Sequence, residues 1–328
     1  MALIVKSFLF EDSSFRDTPE VVNDEGTRYF CDQIRSPMQK KIAVIMKGTG
    51  DEEGKTIVKV IRELGSEQYE VVIDKDAKKW SVNDYGEVLL YTEHNSTKEL
   101  VLLTASGEIK WTVDASGLDI KGVALGTSYA VVFLGDGKVR FHSTADGSLA
   151  SEVDTGASPI MGSFFCPHDG YWGVCAGPGF ATIFVSKDGE YHNYFIEYGR
   201  AQPLTTDAYA SVVGSSKGYI IYRTGEQIEI GSSDDRVWVA PSGDVAMLVR
   251  SGQIELYSIS KSGYTLISTT PFAEGQSGCI WADISFYGKY ALILHDTNDL
   301  CVYNLEEEAY KDKLHNPLGS RPVMTCAD

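Results

Sequence analysis

The sequence contains no long hydrophobic run. No stretch reaches the ~18 consecutive apolar residues that a membrane-spanning helix requires. The apolar opening from Met1 to Phe10 is short, is interrupted by Lys6 and is followed by acidic residues, which is not the pattern of a secretory signal peptide. We therefore expect this opening to form a strand, and we expect a cytoplasmic protein without membrane association.

Positive charge is scarce. The chain has 29 Lys and Arg against 46 Asp and Glu, which gives a formal net charge of −17. Proteins that bind nucleic acid draw much of their affinity from phosphate neutralisation by Lys and Arg, so this balance argues against such a partner. An acidic surface instead attracts basic segments of other proteins. We therefore predict a protein partner, with a basic segment as the candidate contact, and no nucleic acid.

Signatures of metal and redox sites are also missing. No Cys-x-x-Cys pair occurs, and no two of the six histidines have the spacing of metal ligands within one strand or helix. We therefore predict no metal ligand, no cofactor-binding residue and no catalytic residue. Most cysteines lie in apolar, strand-like runs, which indicates buried, reduced thiols. The cysteines are Cys31, Cys166, Cys175, Cys279, Cys301 and Cys326.

A unit of turn, strand, turn and strand is present from Gly135 to Ala150. Its two Asp-Gly pairs are turn signals, because glycine accepts the positive φ that tight turns require. Glycine-centred turns between apolar runs recur at steps of 42, 40, 42, 36 and 38 residues. These turns lie at Gly65, Gly107, Gly147, Gly189, Gly225 and Gly263. A seventh turn has Glu306-Glu307-Glu308 in place of glycine.

Repeats of roughly 40–45 residues with four strands each are typical of propeller blades. The sequence therefore predicts an all-β protein, a single seven-bladed β-propeller with four antiparallel strands per blade. We expect one domain over residues 1–328, with an irregular N-terminal segment at 1–39, regular blades from about 40 to 313 and a tail at 314–328. An open edge invites aggregation, so we expect an apolar terminal segment, 2–10 or 322–326, to pair with a terminal blade.

Several short motifs resemble those of known propellers. Gly137-Lys138-Val139-Arg140-Phe141 is similar to the third strand of a WD-type blade, and Pro241-Ser242-Gly243-Asp244 to the turn before its second strand. Gly107-Glu108-Ile109-Lys110-Trp111 resembles a strand of quinoprotein-type blades. No blade contains a Trp-Asp dipeptide or a Gly-His start. The resemblance to the WD-repeat-like and quinoprotein-like superfamilies therefore implies the fold and a general binding role, and no active-site residue.

Two loops have the outline of ligand sites. Ile42 to Thr56 is similar to a strand followed by a P-loop, but Thr49 replaces the first required glycine and Asp51 to Glu53 would repel phosphate. We therefore predict an acidic hairpin loop between two strands, although a helix reading of Thr56 to Leu64 is defensible. Asp296 to Asp299 lacks the glycine of a calcium loop, which predicts a surface turn.

Two histidines, His94 and His295, fall in equivalent loops between second and third strands. A metal site there would need further ligands, and the sequence does not indicate them. We therefore expect both to be solvated loop histidines.

Acidic residues recur in the loops that would lie on one face of the propeller. In a blade, the loops between second and third strands and the connections between blades emerge on the same face. Charge of one sign over a face steers an oppositely charged partner toward it. We predict that this face binds a partner through Asp51, Glu52, Glu53, Asp74, Asp76, Asp136, Asp234, Asp235, Asp296 and Asp299.

The functional prediction is a non-enzymatic protein-interaction scaffold, a β-propeller subunit of a larger complex. One alternative is a structural component of a virion or coat assembly, which would be stoichiometric in a symmetric particle. A second alternative is a propeller hydrolase or lyase acting on a carbohydrate. Its paired carboxylates would come from different blades and would leave no local sequence motif.

Overall fold

The computed structural model describes residues 6–9, 14–17, 28–62, 66–94, 96–158, 160, 162–167, 169–176, 181–195, 200–203, 208–213, 218–222, 226–231, 236–250 and 252–315. These residues contain thirty β-strands, β1 to β30, one 3-10 turn and no α-helix. The all-β prediction is confirmed. No described segment forms a helix that is long and apolar enough to cross a membrane.

Four-stranded antiparallel sheets follow one another along the chain, and within each sheet the strands pair in chain order. The described residues form seven such sheets, numbered here from the N-terminus. Sheet 1 contains β3 (Arg28–Arg35), β4 (Lys41–Gly48), β5 (Thr56–Arg62) and β6 (Glu67–Ile73). Sheet 2 contains β7 (Ala77–Val82), β8 (Val88–His94), β9 (Thr97–Leu103) and β10 (Ile109–Asp114). Sheet 3 contains β11 (Ile120–Leu125), β12 (Tyr129–Leu134), β13 (Lys138–Ser143) and β14 (Leu149–Asp154).

The remaining sheets repeat this order. Sheet 4 contains β15 (Ser163–Phe165), β16 (Trp172–Ala176), β17 (Ala181–Ser186) and β18 (Tyr191–Phe195). Sheet 5 contains β19 (Arg200–Pro203), β20 (Ala208–Val213), β21 (Gly218–Tyr222) and β22 (Gln227–Ile230). Sheet 6 contains β23 (Arg236–Val239), β24 (Val245–Arg250), β25 (Gln253–Ser260) and β26 (Gly263–Pro271). Sheet 7 contains β27 (Trp281–Ile284), β28 (Tyr290–Leu294), β29 (Asp299–Asn304) and β30 (Ala309–His315).

The second strand of a sheet is apolar on both faces, whereas the fourth strand is mostly exposed. All five residues of β28 are buried, and so are Ala130 to Leu134 of β12. In β10 only Trp111 is buried, and in β14 only Val153. A strand that reads as a continuous apolar run is covered on both faces, as in stacked sheets. The second strands are therefore covered by neighbouring sheets on both faces, and the fourth strands form the outer edge.

The core consists of clusters shared between consecutive sheets. Ala43 and Ile45 of sheet 1 belong to one cluster with Leu90 and Val101 of sheet 2. Adjacent positions of β8 point to the opposite face, because side chains alternate along a strand, and they pack against sheet 3. Similar clusters join sheets 3 and 4, 4 and 5, 5 and 6, and 6 and 7.

Sheet 1 also contacts sheet 7. Gln39, in the connection between β3 and β4, donates from Nε2 to the Ile284 carbonyl oxygen at 3.0 Å. Arg35 forms an ion pair with Asp283, and Met38 packs against the cluster of sheet 7 that contains Phe286. The first and last four-stranded sheets of the described chain are therefore neighbours.

A separate hairpin precedes the seven sheets. Its strands β1 (Lys6–Leu9) and β2 (Ser14–Asp17) pair antiparallel, and β2 lies beside β30. Among the described residues, neither strand joins a four-stranded sheet, so the expected pairing of the N-terminal segment with a blade is not observed for Lys6–Leu9. The second candidate, residues 322–326, lies outside the described residues.

The repeated turns connect the third and fourth strands of their sheets. Gly107, Gly147, Gly189 and Gly263 all have positive φ, from 77° to 136°, and Gly65 and Gly225 lie outside the described residues. The equivalent turn of sheet 7 places Glu308 at φ 53°. The turn predictions are confirmed at these positions, and sheet 7 uses a non-glycine residue in a conformation that favours glycine.

Candidate functional site

The strand directions divide the connections into two sets. The connections between second and third strands, and those between consecutive sheets, lie at one end of each sheet, here called the first face. The other connections lie at the opposite end, the second face. Asp51 to Glu53 lie in the β4–β5 connection, and Asp74 and Asp76 lie between sheets 1 and 2. The predicted acidic residues that the structure describes are therefore all at the first-face end.

The β4–β5 connection is a hairpin. β4 ends at Gly48, a 3-10 turn covers Gly50–Glu52, and β5 begins at Thr56 as an antiparallel partner of β4. A Cβ at position 48 would overlap the backbone of Glu52, so the tight return requires glycine. Because a strand and not a helix follows the loop, the acidic hairpin prediction is confirmed, and the helix reading of Thr56 to Leu64 is wrong over β5.

A cleft of about 480 Å³ lies between this hairpin and the connection to sheet 2. Lys47, Glu53, Lys55 and Asp76 line it, together with Thr49 and glycines of the hairpin. Lys47 donates to Thr56 Oγ1 at 3.0 Å and pairs with Asp76. The structure therefore brings the predicted residues Glu53 and Asp76 to one cleft, together with Lys47 and Lys55.

Arg28 neutralises part of the hairpin. Its Nε and Nη2 donate to the two carboxylate oxygens of Glu52 at 2.8 and 3.0 Å, and its Nη1 donates to Glu70 at 2.7 Å. The hydrogen bond from Arg28 lowers the pKa of Glu52, and the two carboxylates raise the pKa of Arg28. Glu52 is therefore committed to the fold of sheet 1 more than to a partner.

Asp76 is similarly occupied. Partial burial raises the pKa of Asp76, but hydrogen bonds from Lys47 and Lys78 outweigh this effect, so that the pKa is lowered overall. By contrast, Asp51, Glu53 and Asp74 are exposed, and none of them has an ion-pair partner among the described residues. Three of the five predicted carboxylates at the junction of sheets 1 and 2 are therefore free to meet a partner.

The remaining predicted acidic residues lie apart from this junction. Asp136 accepts the backbone N–H of Lys138 at 3.1 Å in the β12–β13 turn. Asp296 accepts from Ser277 Oγ at 3.0 Å, and Asp299 accepts from Gln276 Nε2 at 2.8 Å. Asp234 and Asp235 lie outside the described residues. Of the eight that the structure describes, five therefore lie at one junction, and Asp136, Asp296 and Asp299 lie elsewhere.

The segment Asp296 to Asp299 is the turn between β28 and β29, with Asn298 at positive φ, which confirms the surface-turn prediction. Within the described ranges, no group of three or more His, Cys, Asp or Glu residues could hold a metal ion.

His295 is not solvated, contrary to expectation. It is fully buried, with Nδ1 2.9 Å from the Gly278 carbonyl oxygen and Nε2 2.9 Å from the Tyr303 hydroxyl. Burial lowers the pKa of His295, which favours a neutral ring that donates to Gly278 and accepts from Tyr303. His94, at the end of β8, is exposed as expected. The sequence did not indicate this burial, because the covering ring comes from Phe272, whose centroid lies 4.7 Å from that of the histidine.

The segment Gly214 to Gly218 matches the Gly-x-Ser-x-Gly pattern of a nucleophile elbow. An elbow requires a strand, a sharp turn and a helix. Here β20 ends at Val213 and pairs antiparallel with β21, which begins at Gly218. The motif is therefore followed by a strand and not by the helix of an elbow, and residues 214–217 lie outside the described residues.

The cysteine prediction is confirmed in part. Cys166, Cys175 and Cys301 are buried and form no disulfide, whereas Cys31 and Cys279 are half-buried and also form none. Burial raises the pKa of Cys301 to about 11. Cys326 lies outside the described residues.

Comparison with known proteins gave no matching family model and no matching curated protein. Solved structures do match. The C-terminal WD40 domain of Sif2 is 14% identical, with a TM-score of 0.53 over 85% of this chain and 83% of that one. The dihydro-heme d1 dehydrogenase NirN is 14% identical, with a TM-score of 0.58 over 95% and 72%. A chain of the mitotic checkpoint complex is 14% identical, with a TM-score of 0.51 over 88% and 93%. The chain therefore shares the β-propeller fold of these structures, and the predicted resemblance is confirmed at the level of the fold.

Proposed function

We propose that the chain is a non-enzymatic protein-interaction scaffold, formed by one domain that closes into a seven-bladed ring and acts as a subunit of a larger complex. The observation that carries this proposal is the first face at the junction of sheets 1 and 2. Exposed, unpaired Asp51, Glu53 and Asp74 lie there beside carboxylates that basic residues already hold in place.

Ring closure is supported by the contacts between sheets 1 and 7. Ile42, Val44 and Met46 are at most 1% exposed and form a cluster on the face of β4 opposite to sheet 2. A buried apolar face requires a covering layer. The Arg35–Asp283 ion pair and the Gln39–Ile284 hydrogen bond bring sheet 7 to this side of sheet 1. The same closure argues for one domain over residues 1–328.

The first strands of the sheets, here called the inner strands, have few carboxylates, which favours a scaffold role over carbohydrate hydrolysis. The first strands of the sheets carry only two carboxylates, Asp32 and Asp283. Asp32 accepts the indole N–H of Trp80 at 2.7 Å, and Asp283 pairs with Arg35. Both carboxylates are therefore already engaged, whereas glycoside hydrolysis requires two carboxyl groups that act on the substrate as acid and as base or nucleophile. The similar structures include a WD40 domain and a chain of an assembly, the mitotic checkpoint complex, which supports a subunit role.

The test begins with affinity purification of the full-length chain from native extract and identification of its partner by mass spectrometry. Association of the purified partner is then measured as a function of salt for the wild type and for a triple variant, Asp51→Asn, Glu53→Gln and Asp74→Asn. We expect association about tenfold slower at low salt and a flatter salt dependence for the variant, because steering depends on clustered charge.

A matched control changes the same number of charges on the second face, with Glu108→Gln, Asp188→Asn and Glu306→Gln. Slower association in the control alone would place the partner on the second face. Equal association rates and salt dependences in the wild type, the triple variant and the control would refute a binding role for the acidic residues at the junction of sheets 1 and 2. The scaffold role would be refuted if no partner is recovered, or if the recovered protein is a substrate that the chain converts and releases.

A further inference from the structure

The inner strands differ in charge from the rest of the chain. The first strands of the seven sheets, β3, β7, β11, β15, β19, β23 and β27, contain seven Lys or Arg and two Asp, although the whole chain has a net charge of −17. Six of the seven basic residues occupy the first three positions of their strands, at the first-face end. The seven are Arg28, Arg35, Lys78, Lys79, Lys121, Arg200 and Arg236.

A cleft of about 420 Å³ is lined by residues of four of these strands, β3, β7, β11 and β15. Lys78, Lys79 and Lys121 line one part of it, and Trp80 and Phe164 line another. Glycine at position 122 is required here, since a Cβ would overlap the Phe164 ring, which lies across β11. The volume is within the range of about 300–1,000 Å³ that is typical of small-molecule sites.

Two of the three lysines have carboxylate partners outside the cleft. Lys78 pairs with Asp76, and Lys121 Nζ lies 2.9 Å from Asp119, in a pair whose side chains are 37% and 69% exposed. Surface pairs of this kind are weak and rearrange at little cost. Both lysines therefore remain able to turn toward a ligand.

Lys79 has no such partner. It is exposed, and no carboxylate or hydrogen-bond acceptor of the described residues binds it. The one carboxylate in the cleft wall, Asp32, accepts the Trp80 indole N–H at 2.7 Å. Trp80 is thereby oriented, and an unneutralised ammonium group is left in a concave site beside two aromatic rings.

We propose that this cleft binds a small organic anion. Its phosphate or carboxylate group contacts Lys79, with support from Lys78 and Lys121, and its flat apolar part lies against Trp80 and Phe164. Lysine suits this role because its ammonium group is a flexible point charge that donates up to three hydrogen bonds. The local cluster of basic residues offsets the repulsion that a strongly acidic protein exerts on anions. The cleft adjoins the junction of sheets 1 and 2 through the Lys78–Asp76 pair, but Lys79 takes no part in that junction.

Four probes at low ionic strength test the proposal with the full-length chain. 1-Naphthyl phosphate and 2-naphthoate carry an aromatic body with a phosphate or a carboxylate, 1-naphthalenemethanol carries the body alone, and inorganic pyrophosphate carries phosphate alone. Titration calorimetry measures binding, and a Trp80→Phe variant shows how much of any fluorescence change comes from Trp80. We expect saturable binding of at least one aromatic anion, with weaker binding of pyrophosphate and of the neutral alcohol. The preferred aromatic anion identifies the ligand class as a phosphate or a carboxylate.

Lys79→Gln removes the unpaired charge at an exposed position, and Lys261→Gln removes an equal charge from the second face. We expect the dissociation constant of the bound anion to rise about tenfold in Lys79→Gln, the loss of one charge-assisted hydrogen bond. A smaller rise is expected in Lys121→Gln and none in Lys261→Gln. The proposal is overturned if no aromatic anion saturates, if the neutral alcohol binds equally well, or if Lys79→Gln and Lys261→Gln behave alike.

Discussion

Replacing Asp283 with Ala removes the carboxylate that pairs with Arg35 between sheets 1 and 7. The Asp283 side chain is 5% exposed and that of Arg35 is 23% exposed. Loss of one partner of a buried pair costs about 3–5 kcal/mol, because the other charge is left uncompensated. Arg35 remains partly hydrated, so we expect about 2–3 kcal/mol here. With about 2.1 cal/mol/K of unfolding entropy per residue, this lowers the melting temperature by roughly 3–4 °C.

Urea denaturation of Asp283→Ala, Arg35→Met and the double variant measures the coupling. We expect the double variant to lose less stability than the sum of the two single variants, because the second change removes the uncompensated charge. Glu306→Ala is the control: its pair with Lys289 spans 3.7 Å between side chains that are 64% and 42% exposed, and we expect a loss within about 0.5 kcal/mol. Additive effects, or a loss as small as the control's, would show that sheets 1 and 7 are not in contact in solution.

Three further predictions follow from single side chains. Burial lowers the pKa of both His142 and His295, so the unfolded chain takes up protons first as the pH falls. The free energy of unfolding should therefore decrease below about pH 6.5 by up to about 1.4 kcal/mol per pH unit for each histidine, as measured by urea denaturation at several pH values; no decrease would contradict the burial of the two rings. Glu308→Gly relieves positive φ at the turn of sheet 7 and should stabilise by about 0.5–1 kcal/mol, whereas Glu307→Gly should destabilise; equal effects would contradict the assigned turn conformation. A thiol reagent should leave the buried Cys166, Cys175 and Cys301 unmodified in the native protein. Burial raises the pKa of Cys166 and Cys301, which disfavours their reactive thiolate forms. Rapid labelling of any of the three would contradict the packing of sheets 4 and 7.

The repeat was predictable because it is local. Turn glycines and alternating strands lie within about 16 residues of one another, and their spacing marked Gly107, Gly147 and Gly189 without knowledge of the fold. The hairpin after Gly48 was predictable for the same reason, since Thr49 and the three following acidic residues exclude a phosphate cradle within one short segment. Local chemistry therefore determined the strands and turns.

The state of the acidic residues depends on distant partners. Glu52 is bound by Arg28, 24 positions earlier, and Lys47 reaches Asp76, 29 positions later. No pattern near Asp51 to Glu53 distinguishes the paired carboxylate from the two free ones. The basic inner strands were missed because their members are spread from Arg28 to Arg236. The detectable signal was a Lys or Arg within the first three residues of five of the seven first strands, which becomes visible only when the repeats are aligned.

The shared clusters between neighbouring sheets have a consequence for sequence change. Ile45 packs in one cluster with Leu90, and Met247 in one with Ile293. The side chain that must adjust when one of these changes volume therefore lies about one repeat away in the chain. Pairs of compensating substitutions among related sequences should accordingly be separated by about 40–45 residues more often than by the few residues within one hairpin. A duplicated sheet would pack against a neighbour on each of its two faces. Its core residues could therefore change in volume only together with the residues of the adjacent sheets.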